Sequence, residues 1–343
     1  MAAFTTLLLQ WFAANERDLP WRATKDAYAI WLSEIILQQT RVQQGTDYWL
    51  RFLRRWPTIE CLAQASEDEV MREWQGLGYY SRARHLHQTA KIIVQQGVFP
   101  SSFEQIRMLP GIGNYTAAAI SSIAFGLPVA AIDGNAYRVL SRYFAIDTPI
   151  NTAYAKREFA ALAQSLLPTD NPSAFNQAMM DFGSLQCVPK SPSCTTCPLA
   201  ESCQAFRQNA VENYPVKSRT INSLRRNLIY IFVHNKGGLL LRRRETNDIW
   251  KKLWEPVLAY DHTEGAEASG CSDIYAQYGT LGELTLLAKD MRHVLSHRII
   301  YADFYRLETE KATHLFNGYQ WVSDISQYAL PRLIEKMVAA GKY

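Results

Sequence analysis

From residue 4 to about residue 210, apolar side chains recur at spacings of three and four, the period of helices with one buried face. The pattern predicts helices over Tyr28–Thr40, Glu67–Gln75, Arg82–Gln96, Tyr115–Phe125, Ala136–Phe144 and Ala153–Leu167. Gly76-Leu77-Gly78, Pro110-Gly111-Ile112-Gly113 and Thr169-Asp170-Asn171-Pro172 break it with turn chemistry. The first residues, up to Trp11, are apolar but lack a charged lead and soon meet Asn15, Glu16, Arg17 and Asp18, so they read as an amphipathic helix and not as a signal peptide. A polar stretch from Asn213 to Arg226 reads as a linker, and the texture changes after it. Leu228–His234 and Gly238–Arg242 suggest two strands about a Gly-Gly turn, Val294–Leu307 contains another strand-like run, and Leu330–Ala340 suggests a closing helix. The expected architecture is a mostly α N-terminal part followed by a smaller α+β part.

A chain of 343 residues is long enough for two or three domains with cores of their own. Its 48% hydrophobic and 20% charged residues are ordinary for a globular protein, and no apolar run reaches membrane-spanning length. The net charge of +4 permits a polyanionic partner. Up to residue 220 there are 20 Lys and Arg against 18 Asp and Glu, and 16 against 14 beyond, so any nucleic-acid face must come from local clustering. Candidates are Arg82, Arg84, Lys190 and the Arg51, Arg54, Arg55 group, although the last is equally readable as a solvated helix face.

Four of the six cysteines, Cys187, Cys194, Cys197 and Cys203, form a C-x6-C-x2-C-x5-C array in one loop-rich stretch that Pro189, Pro192 and Pro198 keep from becoming helix. Thiolates this close in sequence suit a metal centre better than disulfides among themselves. Zinc is the common tetrahedral occupant of four cysteines, but zinc ribbons carry two C-x2-C knuckles and only one is present. Grouped thiols fit a reducing compartment, which makes the cytoplasm the expected location.

Leu109-Pro110-Gly111-Ile112-Gly113 runs into a small-residue helix near Tyr115. Its glycines allow a tight turn, and the helix start offers backbone N–H groups and partial positive charge to a phosphate. A plain helix–turn–helix linker would look the same. Asp133 opens the helix Ala136–Phe144, where free N–H groups favour the ionised carboxylate, as they would for any capping aspartate. Glu34 shares a helix face with Ile30 and Leu37, pointing it toward a drier setting that would raise its pKa; a glutamate at the margin of an amphipathic helix is the competing reading.

Taken together, the run Trp31-Leu32-Ser33-Glu34-Ile35-Ile36-Leu37-Gln38-Gln39-Thr40, the run Gly76 to Arg84, Phe175 to Asp181, the hairpin and the cysteine array resemble the MutY family of adenine DNA glycosylases, within the endonuclease III superfamily of helix-hairpin-helix/Gly-Pro-Asp proteins. The resemblance covers nearly the whole chain. It implies a core over 1–213, with a six-helix barrel at about 23–132 and an iron–sulfur cluster subdomain from 1–22 plus 133–213. A linker at 214–226 and a MutT/Nudix-like lesion-recognition domain at 227–343 complete it. It implies one 4Fe–4S cluster on the four cysteines, a monovalent cation at the hairpin, and a monomer acting on duplex DNA with adenine opposite 8-oxoguanine or G.

The resemblance makes Glu34 the proton donor to adenine and Asp133 the stabiliser of the cationic sugar, supported by Tyr115 and Asn135. It places Arg22 on the adenine side. Leu37, Gln38, Gln39 and Tyr80 are candidates to fill the gap left by the flipped nucleotide, of which the resemblance singles out Gln39 and Tyr80. Core packing is the other reading for Leu37, and Thr40 is a further DNA-contacting residue. Backbone contacts are expected from Leu109, Gly111, Gly113 and Lys190. Bifunctional relatives carry a lysine where this chain has Tyr115, so hydrolysis without strand cleavage is expected; a pyrimidine glycosylase/lyase and a non-catalytic lesion binder are the other readings. In the C-terminal part no R-E-x-x-E-E helix follows Trp254-Glu255-Pro256, so it reads as a recognition module. Ser296 and His297 match the family's Phe-Ser-His loop with Leu295 replacing phenylalanine, and Lys252 stands where the usual Trp-x-Gly-Leu pattern has glycine.

Overall fold

The computed structural model describes residues 2–218, 224–236, 238–266, 269–270, 272–295, 298–311 and 314–343. Ser296, His297 and residues 219–223 of the expected linker lie outside the described residues. The chain divides into two compact units, one formed by residues 1–64 with 85–219 and the other by 65–84 with 220–343.

The helices, in chain order, are α1 (Ala2–Asn15), α2 (Ala27–Leu37), α3 (Val42–Arg55), α4 (Ile59–Gln64), α5 (Glu67–Glu73), α6 (Ser81–Gln96), α7 (Phe103–Arg107), α8 (Asn114–Phe125), α9 (Gly134–Phe144), α10 (Ala153–Leu166), α11 (Pro172–Leu185) and α12 (Gln204–Arg207), before the strands begin. The first unit is helical throughout. Phe4, Leu8 and Phe12, each one turn after the last, bury one face of α1 against Phe159, Phe175, Met179 and Phe182. α11 is central: it packs on α1, α8 and α9. Its Asn176, fully buried, accepts from Ala131 N (2.9 Å) and donates to Ser122 Oγ (2.8 Å) and Val129 O (2.9 Å). Those bonds tie down the chain that leads into α9.

In the second unit the strands are β1 (Leu224–Asn235), β2 (Gly238–Arg243), β3 (Trp254–Glu255), β4 (Val257–Thr263), β5 (Ser269–Gly270), β6 (Glu283–Val294), β7 (Arg298–Glu308) and β8 (Gln320–Val322), with α13 (Ile274–Tyr278) and α14 (Arg332–Ala339). β1 is the centre of the sheet. It pairs parallel with β7 on one side and antiparallel with β2 and β4 on the other. Alternation along β1 sends Ile231 and Val233 to one core and stacks Tyr230 and Phe232 on Phe304 from the other face. The strand-like run expected within Val294–Leu307 is β7, and Val294 is the last residue of β6.

Residues 65–84 enter this unit through a capping box at Ser66 and Glu69, a fully buried Trp74, and ion pairs from Arg243 to Glu67 (2.7 Å) and Asp68 (3.1 Å). Glu255 is fully buried, yet it accepts from Tyr230 Oη (3.1 Å), Arg242 Nε (3.0 Å) and Arg244. A buried carboxylate is tolerable only with donors of this kind.

Lys252 sits at φ +69°, a left-handed conformation that costs a residue with a Cβ roughly 1–2 kcal/mol. K252G is expected to stabilise the protein by about 1 kcal/mol in urea denaturation, after the surface pair to Glu245 and the entropy of glycine are subtracted. At the hairpin, Gly111 has φ +76° and a Cβ there would lie 2.6 Å from His85 Cβ, whereas a Cβ on Gly113 meets nothing within 4 Å. G111A should lose about 1–3 kcal/mol in the same measurement and G113A less than about 1 kcal/mol.

Candidate active site

α2 explains the first carboxylate. Asp26 caps it by accepting from Tyr28 N (3.1 Å), and every residue from Tyr28 to Ile36 is buried, as expected of a helix with apolar residues nearly all round. Glu34 is carried inside with them and is only 7% exposed. The reading of Glu34 as a marginal surface residue therefore fails on burial. Loss of water pushes its carboxyl up to about 7 from an ordinary 4.5; a hydrogen bond from Tyr115 opposes the rise, the charge of Asp133 adds to it and that of Arg22 opposes it.

The second carboxylate caps α9. Asp133 Oδ1 accepts from Ala136 N (2.8 Å) and Oδ2 from Asn135 Nδ2 (2.6 Å). Burial raises its pKa, while those donors and the charge of Arg138 favour the ionised form. Asn135 is itself held: its Oδ1 accepts from Arg138 Nη2 (2.8 Å), which also donates to Gly183 O (2.5 Å), and Arg138 Nε donates to Cys187 O (2.8 Å). A Cβ on Gly183 would come within 2.4 Å of Asn135 Cβ, so α11 can approach α9 this closely only with glycine at that point.

Tyr115, in the first turn of α8, completes the group. Burial and the neighbouring Glu34 and Asp133 hold its phenol well above the usual range, so it is a neutral donor, and its hydroxyl also lies 3.5 Å from Met180 Sδ. Glu34, Asp133 and Tyr115 line one cavity of about 460 Å³, within the size range of small-ligand sites. Trp21 and Ile30 supply apolar wall, and Arg22, Leu37, Gln38 and Gln39 line it too. Gln38 Nε2 donates to Thr116 Oγ1 (3.1 Å), and Gln39 is exposed at φ +57° just past the end of α2, with Thr40 half-buried behind it.

Other expected residues are elsewhere. Leu109 is buried beneath the hairpin, with Gly111 and Gly113 exposed on it, and Lys190 is exposed in the cysteine loop. Tyr80 is buried within the second unit, its hydroxyl donating to Leu330 O (3.2 Å), while its neighbour Tyr79 is the exposed ring. Leu295 is half-buried, its N–H donating to Arg298 O (2.8 Å). The sequence reading missed Arg17, Gln177 and Met180 in the cavity wall and Asp181 behind it. The spacing of Gln177, Met180 and Asp181 at i, i+3 and i+4 on α11 was the available signal.

The expected 4Fe–4S cluster is overturned. Cys187, Cys194, Cys197 and Cys203 border one small apolar cavity and are free, but among the described residues no group of three or more His, Cys, Asp or Glu side chains is placed to hold a metal ion. No such group stands at the hairpin either, where the monovalent cation was expected. The loop is ordered by protein contacts instead: Arg142 donates to Val188 O (2.8 Å), Pro189 O (3.0 Å), Val211 O (3.1 Å) and Cys187 Sγ (3.4 Å). Burial raises the Cys194, Cys197 and Cys203 thiols, Cys197 to about 11, which favours the protonated form. Close spacing in sequence brought the four together without giving them a ligand geometry.

Residues 32–165 match the model of the HhH-GPD superfamily of base excision DNA repair proteins, and 229–340 that of the NUDIX domain. The chain is 36% identical over 254 residues to the adenine DNA glycosylase of Buchnera aphidicola subsp. Acyrthosiphon pisum, covering 73% of each chain. It is 41% identical over 216 residues to that of Homo sapiens, covering 60% of this chain and 40% of the human one. Among solved structures, a thermostable thymine-DNA glycosylase matches 60% of this chain and 95% of its own at TM-score 0.56 and 30% identity. A trapped endonuclease III–DNA covalent intermediate matches in fold, covering 60% of this chain and 94% of its own at TM-score 0.53 and 20% identity. With its two carboxylates and tyrosine in one cavity, an HhH-GPD region followed by a NUDIX region, and relatives of one kind across species, the chain belongs to the MutY-type adenine DNA glycosylase family.

Proposed function

We propose that the protein releases adenine from duplex DNA by hydrolysis, without strand cleavage, where adenine stands opposite 8-oxoguanine or G. The observation that carries this reading is a buried Glu34 facing the same cavity as Asp133 and Tyr115. Adenine leaves poorly as an anion, so the bond to the sugar breaks once the base is protonated. Glu34, holding its proton near neutral pH, donates it to N7; the resulting carboxylate then helps orient water. Asp133, fixed by Ala136 N–H and Asn135, offsets the charge of the oxocarbenium-like sugar. Tyr115 supplies a neutral donor and no amine, so no Schiff base forms there.

The target nucleotide must leave the stack to enter the cavity, at a cost of a few kcal/mol. Leu37, Gln38 and Gln39, at the end of α2, fill the gap it leaves, and Thr40 next to them contacts the DNA. Leu109, Gly111, Gly113 and Lys190 hold the DNA backbone, and Arg22 contacts the adenine side. In this reading the glycosylase core spans 1–213, with a six-helix barrel at about 23–132 and the remaining helices from 1–22 and 133–213; 214–226 is the linker. Residues 227–343, with Leu295, Ser296 and His297, recognise the lesion. The protein acts as a monomer in the cytoplasm, at the chromosome; among the described residues no helix is long and apolar enough to cross a membrane.

Single-turnover release of adenine from an A:8-oxoguanine duplex tests this. E34Q is expected to slow it by about 10²–10⁴-fold, and an unchanged rate would refute the acid assignment. Borohydride should trap no protein–DNA adduct; a high-yield adduct would favour a lyase. The same substitution has a predictable effect on stability. Folding raises the Glu34 carboxyl from 4.5 to about 7, so its burial costs nothing below the lower value and the full penalty above the higher one. E34Q should therefore be more stable than the parent at alkaline pH by up to about 3 kcal/mol, with the difference vanishing toward about pH 4, as measured by urea denaturation.

A further inference from the structure

Behind the wall of the cavity formed by Arg17 and Arg22 lies a carboxylate that the reaction as described does not use. Asp181, on α11, is fully buried and receives two arginines. Arg17 reaches it through its backbone N–H (3.2 Å), Nε (2.6 Å) and Nη2 (2.5 Å), and Arg22 through Nη1 (2.8 Å) and Nη2 (2.9 Å). Arg22 Nη1 also donates to Arg17 O (3.0 Å), and its guanidinium lies 5.5 Å from the centre of the Phe12 ring. Glu16, half-exposed, stands 3.7 Å from Arg22 as a weaker second anion. Arg17 and Arg22 both line the cavity.

We propose that Asp181 is a positioning residue for the reaction: it pins Arg22 and Arg17 to the cavity wall and offsets their charge, so that neither is free to pair with Glu34. The groups that face Glu34 are Tyr115 from α8, Asp133 ahead of α9, and Arg22. Of these only Arg22 is a cation, and an uncompensated cation beside a carboxyl favours its ionised form. Burial tends to raise the Asp181 carboxyl, but the hydrogen bonds and charges of Arg22 and Arg17 outweigh it and hold the group below the usual carboxylate range. It therefore stays an anion across the working pH range. The bidentate fork to Arg22 also sets where that guanidinium sits against a bound base.

The inference rests on Glu34 acting as the proton donor, and the test separates the two. Single-turnover adenine release from an A:8-oxoguanine duplex is followed from about pH 5.5 to about pH 9, where the parent rate should fall as Glu34 ionises near 7. In D181N, whatever its maximal rate, the falling limb should move down by roughly one pH unit, about a hundredfold loss near pH 8 relative to its own maximum where the parent loses about tenfold. A limb that stays at the parent position while the rate falls uniformly would overturn the proposal, because a purely structural role lowers all rates together. Should D181N not fold, R22Q decides: removing the cation should move the limb upward, and an unmoved limb overturns the proposal. A parent protein that releases no adenine at any pH would refute the enzymatic reading, a failure distinct from an unmoved limb in an active variant.

Discussion

The removal of water from Glu34 is the constraint on which the site depends. A carboxyl in solution is ionised at neutral pH and cannot donate a proton to a departing base. α2 is buried along almost its whole length, and this carries Glu34 to a place where its neutral form persists to about 7. Desolvation is the largest contribution, and the nearby charges adjust it: Asp133 raises the proton affinity, while Tyr115 and Arg22 lower it. Two acidic groups in one cavity thus meet different surroundings. Glu34 has few donors, whereas Asp133 has a backbone N–H, an asparagine and a nearby arginine.

The supporting frame is built from remote parts of the chain. Asn176 on α11 holds the segment before Asp133, Arg138 joins Asn135 to Gly183 and Cys187, and Asp181 holds two arginines that precede α2. One helix therefore reaches both sides of the cavity. Its small and polar residues, Asn176, Asp181 and Gly183, do the positioning, while Phe175, Met179 and Phe182 anchor it in the core. This division keeps side chains in place without closing the space where substrate enters.

Much of the helical unit was legible in the chain. The expected helices at Arg82–Gln96, Tyr115–Phe125 and Ala153–Leu167 agree with α6, α8 and α10 to within one residue at either end. Strands were harder. β4 and β6 were missed, because β6 is only half covered and shows no clean alternation of apolar and polar residues. Tyr80 was assigned by analogy, and it is buried, whereas the exposed ring is that of its neighbour Tyr79. Lys252, read as a departure from a glycine-bearing pattern, occupies a left-handed backbone, so the glycine answered a conformational need that the lysine meets at a cost. The cysteine array shows the opposite limit: its spacing was unmistakable, yet it did not yield a metal-holding group.

Sequence by itself determined the helix periods, the glycine turn before α8, the capping role of Asp133 and the tyrosine where an amine would be. These are local properties, set within a few residues by sterics and hydrogen bonding. Tertiary structure decided which carboxyl keeps its proton, which arginines are neutralised and by what, and whether neighbouring thiols share a ligand geometry. Proton affinity and ion pairing depend on which distant segments exclude water and supply partners. Glu34 and Asp181 lie 147 positions apart in the chain, and no local pattern records that Arg22 stands in contact with both their surroundings.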